Sequence, residues 1–343
     1  MLQIERYDDG EKQMEKEWLR KVGSMQQEAY IRKIEYLEGR AGGLKAYQVK
    51  SGPLMFTAAQ DKCLDITELS WRGINFNFIS KPGLQNGQAY DHNGFAGQRS
   101  IMGGMFFTCG TDNVGTPGIE PQNMFPMHGS LRSTPAEHVC ADCFWEDGEY
   151  KIRLSGEMRQ AALFGGNIVL RRTIETNYGS KEILIQDEFE NQAYETSPFM
   201  LLYHFNIGYP LLDERTRILI PSTKTYLLGE DKETQLPWNK VTAPLDRLPE
   251  EVFYHVLEAD EEGIASVSAY NENIGAGLEI SFQTKHLPRF TQWKSMASGD
   301  YVMGFEPCNC HVKGREWERE NGTLPVIEAG EKKVVELKLH IME

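Results

Sequence analysis

The residues of this chain best suited to chemistry are ionisable side chains that interrupt apolar runs. In Phe199-Met200-Leu201-Leu202-Tyr203-His204-Phe205-Asn206, a strand would turn Met200, Leu202, His204 and Asn206 to one face and Leu201, Tyr203 and Phe205 to the other. His204 and Asn206 then emerge together at the strand's end; the alternative is a core histidine satisfied by the backbone. In Tyr301-Val302-Met303-Gly304-Phe305-Glu306-Pro307, the same alternation puts Val302, Gly304 and Glu306 on one face, and Pro307 stops the ladder beside Glu306. A carboxylate closing an apolar strand is costly to bury without a partner or a task, although a plain surface glutamate fits the pattern too. Gly304 leaves room there for a ligand or another backbone. A third stretch, from Gly103 to Gly115, reads as a glycine-rich loop that leads to Met127-His128-Gly129-Ser130-Leu131-Arg132. Asp112, Asn113, His128 and Arg132 are displayed on it, and connecting segments are where binding groups concentrate.

A histidine titrates near neutrality and a partly buried glutamate can be tuned upward, so these types suit general acid–base catalysis, worth about 10²–10⁴-fold per group. Trp293, close before Glu306, offers either a flat apolar face for a ligand or a core anchor. Arg99, Arg132 and Lys294 recur beside the same segments. They either reach a carboxylate, phosphate or hydroxyl of a ligand or pair with local acids such as Asp112 and Glu137. Cys140-Ala141-Asp142-Cys143 and Cys308-Asn309-Cys310-His311 invite a zinc reading, but the C-x-C spacing is atypical and the pairs are far apart. No metal and no other cofactor is therefore expected, and the six cysteines are expected to be free thiols. Gly103-Gly104 precedes no helical pattern, so a nucleotide loop is not indicated. Glu306 with Asp112 or Asp65 would make a glycosidase pair, with Asp65 the better candidate for a structural role.

The elements that position these groups read as strands. Leu278, Ile280 and Phe282 share one face, as do Val335, Leu337, Leu339 and Ile341, and similar runs occur near 54–59, 168–174, 183–189, 217–220, 252–257 and 264–270. Met14, Trp18 and Val22 make one helical stripe over residues 11–22, ended by Gly23. The pattern predicts one large antiparallel all-β sandwich, a single domain over 1–343 with a helical lead-in over 1–40 and the sandwich from 41.

Taken in order, His128-Gly129, Tyr203-His204-Phe205-Asn206 and Gly304-Phe305-Glu306-Pro307-Cys308-Asn309 resemble the motifs of the galactose mutarotase-like, or aldose 1-epimerase, superfamily. The chain is most similar to a bacterial DUF4432-type branch marked by GG…TCG-x-DN-x-G, HG before TPAE, YHFN-x-G-x-P and W-K…G-x-Y-V-x-G-x-EP. Here these run over 103–115, 128–137, 203–210 and 293–307, and the likeness extends from about Leu54 to the end. One departure is that the arginine often found directly after HG stands at Arg132, beyond Ser130 and Leu131. The resemblance implies a β-supersandwich with a sugar cleft on a concave sheet and interconversion of sugar anomers. Glu306 then matches the base, His204 the acid across the sugar ring, and His128 the second histidine. With that cleft in view, Arg132, Asn113, Asp112, Asn206, Trp293 and Lys294 are the candidate substrate-binding groups read from the residues themselves. The rival readings are a non-catalytic sugar-binding or sensing protein and a glycoside-processing enzyme.

Composition agrees with a globular protein: 343 residues, 40% hydrophobic and 25% charged, with a net charge of −14. That charge argues against nucleic-acid and anionic-membrane partners, and the resemblance implies a small-molecule sugar. No apolar run is long enough to span a bilayer, and Met1-Leu2-Gln3-Ile4-Glu5-Arg6 lacks a signal-peptide pattern, so a cytoplasmic location is expected.

Overall fold

The structure is a computed structural model that describes residues 18–87, 94–120 and 123–343. The period-two runs become antiparallel strands in three larger sheets of eight, six and five strands. In spatial order the eight-stranded sheet runs Ala136–Glu146, Glu149–Ala161, Asn167–Asn177, Glu182–Asn191, Lys332–Met342, Ala276–Gln283, Ile264–Asn271 and Thr216–Leu219. The six-stranded sheet runs Ser222–Leu227, Glu251–Leu257, Arg289–Ala297, Asp300–Cys308, Met200–Ile207 and Phe106–Thr111. The third sheet joins Ala29–Glu35, Lys45–Ser51, Leu54–Ala59, Asp65–Trp71 and Ile74–Asn75 in chain order.

Local turn chemistry sets the registers. Asp147 and Gly148 both take positive φ, the geometry of a tight two-residue hairpin, and pair Glu146 with Glu149. Ser298 and Gly299 similarly join the fourth and third strands of the six-stranded sheet, pairing Ala297 with Asp300. A one-residue slip would turn every side chain over, so this short turn is what sets Trp293 opposite Gly304 and Thr291 opposite Glu306.

The alternation seen in sequence sorts the six-stranded sheet into two faces. Leu201, Tyr203, Phe205, Met303, Phe305 and Phe290 enter the main core with Leu278, Ile280, Phe282 and Leu337 of the eight-stranded sheet. Phe290 stacks on Phe282 across the layers with ring centroids 6.2 Å apart. Each such ring, fully covered, contributes about 1.5–3 kcal/mol of transfer free energy. The opposite face carries His204, Asn206, Trp293 and Glu306.

Behind the sheet lies a charged cluster inside the core. Arg172, fully buried, donates to Asp187 through Nε (2.8 Å) and Nη2 (2.6 Å), to Asp65 through Nη1 (2.8 Å) and to Thr108 Oγ1 through Nη2 (2.8 Å). Tyr203 O–H donates to Asp187 at 2.6 Å. Asp65 thus has a structural partner, and burial holds its carboxyl above the ordinary value despite Arg172. Thr108 and Tyr203 neighbour Phe107 and His204 in the chain, so the cluster ties both site strands to the sheet behind.

Two expectations need revision, and a third falls mostly beyond the described residues. The helix expected over 11–22 lies outside the described residues except at its end, where the Val22 N–H bonds the Trp18 carbonyl at 3.1 Å. Strand structure begins at Ala29, ahead of the boundary expected at 41. The stretch read as a loop over 103–115 contains the buried edge strand Phe106–Thr111, because its glycines serve close packing between strands rather than exposed turns. All six cysteines are free thiols, and the two pairs lie apart: Cys140 and Cys143 on an edge of the eight-stranded sheet, Cys308 and Cys310 in a small apolar cluster.

Candidate functional site

Residues His204 and Glu306 sit on adjacent antiparallel strands, between the pairs Leu202–Cys308 and Phe205–Phe305. Their side chains meet directly: His204 Nε2 lies 3.1 Å from Glu306 Oε1, and both are buried at the floor of a cavity of about 630 Å³. The expected separation of the two by a sugar ring is therefore not found. The physical reason is the shared register, which brings neighbouring-strand side chains on one face within contact.

Three groups fix the pair. Phe107 stacks on the His204 ring with centroids 4.6 Å apart and planes 16° apart. Asn206 donates to the carbonyls of His204 (2.9 Å) and Gly104 (3.1 Å). Gly304 provides the space: a β-carbon on it would lie 2.8 Å from Glu306 Oε1, 2.9 Å from Trp293 Cβ and 3.3 Å from His204 Cε1. The glycine noticed in the sequence thus makes room for the pair itself.

Trp293 stands edge-on to His204 with centroids 5.5 Å apart, and its indole N–H donates to Glu250 at 2.6 Å. His128 approaches from the far side, 5.6 Å from His204 between ring centroids. It reaches this place from a left-handed backbone (φ 60°), and Gly129 continues the turn at φ 75°. A side chain at Gly129 would collide with backbone oxygens of Asn113 and Gly110, which is why histidine is followed by glycine here.

Burial dominates the electrostatics. It pushes the Glu306 carboxyl well above the ordinary carboxylate range, with the Glu250 charge acting in the same direction. It pulls His204 well below the ordinary imidazole value, helped by His128. His128 is held down to about 3 by burial and then by the Arg132 charge. Burial thus favours the neutral form of each group, a protonated carboxyl at Glu306 and an uncharged imidazole at His204. Buried polar atoms normally find a partner, yet His204 Nδ1, His128 Nδ1 and Asn206 Oδ1 have no hydrogen bond among the described residues. A carboxyl raised by burial, two imidazoles held toward the neutral form, an indole face and unmet polar atoms make a site that can hydrogen-bond a polar ligand and exchange protons with it.

Of the groups expected to bind substrate, Asn206 and Trp293 line the cavity with His128, His204 and Glu306. Four others do not. Arg132, in the buried turn Leu131–Ser133, donates to Ser100 Oγ at 3.1 Å. Asp112 accepts from the Ser130 backbone and hydroxyl at 3.1 and 2.8 Å. Asn113 bridges the Thr116 and Pro126 carbonyls and accepts from the Arg315 N–H at 3.0 Å. Lys294 points to the opposite face from Trp293, donating to the Pro237 carbonyl at 3.0 Å and pairing with Glu251 at 3.2 Å. Each is consumed by local structure, the usual fate of a buried polar group. Two wall residues were missed by sequence reasoning. Phe107 was recoverable from the alternation Phe107–Cys109–Thr111 once that segment is read as a strand. Glu250 lies in an acidic, surface-like stretch that carries no signal.

The chain is similar in fold to solved structures described as aldose 1-epimerase candidates or galactose mutarotase-like proteins. A candidate aldose 1-epimerase from Klebsiella pneumoniae subsp. pneumoniae superposes with a TM-score of 0.82 at 20% identity, over 91% of this chain and 83% of that one. A galactose mutarotase-like protein from Clostridium acetobutylicum gives a TM-score of 0.62 at 11% identity, over 92% and 99%. A galactose 1-epimerase from Lactobacillus acidophilus gives 0.61 at 11% identity, also over 92% and 99%. No curated protein sequence matches the chain. No helix among the described residues is long and apolar enough to cross a membrane. The family model described as Domain of unknown function, DUF4432, matches residues 41–341, and with that match over most of its length the chain belongs to the DUF4432 family, on a galactose mutarotase-like fold.

Proposed function

We propose that this protein is a cofactor-independent sugar isomerase of the aldose 1-epimerase kind, which interconverts the anomers of a free sugar by opening and reclosing its ring. The observation that carries the reading is the 3.1 Å contact between His204 Nε2 and Glu306 Oε1 at the floor of the cavity. Ring opening moves a proton off the anomeric hydroxyl and puts one on the ring oxygen. Both oxygens are bonded to the same carbon, so an acid and a base in contact with each other match their spacing better than groups set a whole ring apart. In the forward step the C1–O5 bond breaks as C1=O forms; Glu306 takes the hydroxyl proton and His204 supplies one to the ring oxygen. Rotation about C1–C2 and the reverse proton transfers close the other anomer, with no net change in the pair. Sugar hydroxyls entering the site solvate the pair and let its proton cross from Glu306 to His204, which sets up carboxylate and imidazolium for the step. His128, kept neutral, is suited to hydrogen bonding on the ring-oxygen side. Trp293 offers the apolar face for stacking.

The experiment is polarimetry of freshly dissolved α-aldoses across a panel of hexoses and pentoses, with spontaneous mutarotation as the baseline. Acceleration in proportion to enzyme for at least one sugar supports the reading. Saturable sugar binding without acceleration would replace it with a binding or sensing role, and release of sugar from a glycoside with glycoside processing.

A further inference from the structure

The anionic sugar left open by the sequence finds no counterpart in the cavity. Among its described lining residues there is no lysine or arginine, and apart from the two histidines the ionisable side chains are the carboxylates Glu250, Asp300 and Glu306. Asp300 pairs with Lys81 at 2.5 Å, and Glu306 is buried against His204 at 3.1 Å. Glu250 has no cation within ion-pair distance among the described residues. One of its oxygens is held by the Trp293 indole N–H at 2.6 Å, which fixes a negative charge at the edge of the ring-stacking face.

We propose that Glu250 is a specificity-determining residue of this cavity, selecting sugars that carry an ammonium group over neutral ones and neutral ones over carboxylate, phosphate or sulfate sugars. This rests on the anomer-exchange reading of the same site and names its substrate class. A unit charge acting over ~6 Å at a partly solvated wall is worth about tenfold in affinity, and salt screens it. The same charge acts on Glu306, which is also faced by His204 from the neighbouring strand, His128 beyond it and Cys308 on its own strand.

The test uses three sugars that differ only at C6: a 6-amino-6-deoxy aldose, the parent aldose and the uronate, in gluco and galacto series. At low ionic strength the wild type should show kcat/KM falling about tenfold at each step, and the steps should shrink in high salt. Glu250→Gln keeps an oxygen to accept from Trp293 but removes the charge; it should collapse the three sugars to within about threefold and move the alkaline limb of the pH profile downward. Glu250→Asp, which keeps the charge, should retain the order even where its shorter side chain loosens Trp293. A uronate turned over as well as the parent sugar by the wild type overturns the proposal, as does an order unchanged in Glu250→Gln. Calorimetric Kd values for the same sugars give an independent order. Binding in that order without turnover would keep the charge selection and sink the isomerase reading, and a chain that binds none of the three overturns both.

Discussion

Replacing Arg172 by methionine isolates what the buried charge cluster contributes. The side chain is wholly covered and makes bonds to Asp65, Asp187 and Thr108 between 2.6 and 2.8 Å. Methionine fills most of the volume but leaves two carboxylates in the core without a cation, Asp187 keeping only the Tyr203 hydroxyl and Asp65 the Thr108 N–H and hydroxyl as donors. Breaking a buried pair from one side costs about 3–5 kcal/mol, because the abandoned charge stays buried. We expect Arg172→Met to lose about that much, read as the urea midpoint by far-ultraviolet circular dichroism with the slope held in common. The pH dependence has a definite sign. Without the guanidinium, the folded carboxyls are pushed above their unfolded values, so the folded state binds more protons and stability falls as pH rises through the raised values. The deficit should therefore shrink toward acid pH. Adding Asp65→Asn and Asp187→Asn removes the stranded charges and should recover at least half of the loss at neutral pH. An Arg172→Met cost under about 1 kcal/mol, or one that grows toward acid pH, refutes this account of the cluster.

The remaining predictions concern the site. Gly304→Ala sets a methyl within 2.8 Å of Glu306 Oε1 and 3.3 Å of His204 Cε1, so kcat should fall at least ~10²-fold while the circular dichroism spectrum is retained; near-normal turnover would show that the pair need not be in contact. Trp293→Ala should weaken sugar affinity about tenfold by titration, and an unchanged Kd would remove the stacking role. The kcat/KM profile should be a bell set by one shared proton. Uptake of a second proton falls below the ordinary histidine value of 6.5, and loss of the shared one falls above the ordinary carboxylate value of 4.5. A single limb at 6.5 would mean that His204 titrates alone.

The fold was legible because burial on alternate faces leaves a period-two signature, and strands such as Ala276–Gln283 and Lys332–Met342 fall where that signature predicts. His204, Asn206 and Glu306 were legible for the same reason: polar groups in apolar strands stand out. Long-range register was not, so the direct contact of His204 with Glu306 was missed. Arg132, Asp112, Asn113 and Lys294 were misjudged because sequence displays a polar side chain but not the backbone carbonyl or hydroxyl that occupies it. The edge strand Phe106–Thr111 was hidden by the glycines in and around it, and the packing of Gly110 against Met200 is visible only in three dimensions.

The central claim is that Glu306 and His204 open the sugar ring by exchanging protons with its geminal oxygens. Anomer exchange measured by magnetisation-transfer NMR on a sugar that the protein accelerates, with wild type, Glu306→Gln and His204→Asn, tests it most directly. Each variant should bind the sugar and fold as the wild type does, yet lose at least ~10²-fold of the catalysed exchange rate. Exchange above about a tenth of the wild-type rate in Glu306→Gln would contradict the account, because an amide cannot take the proton.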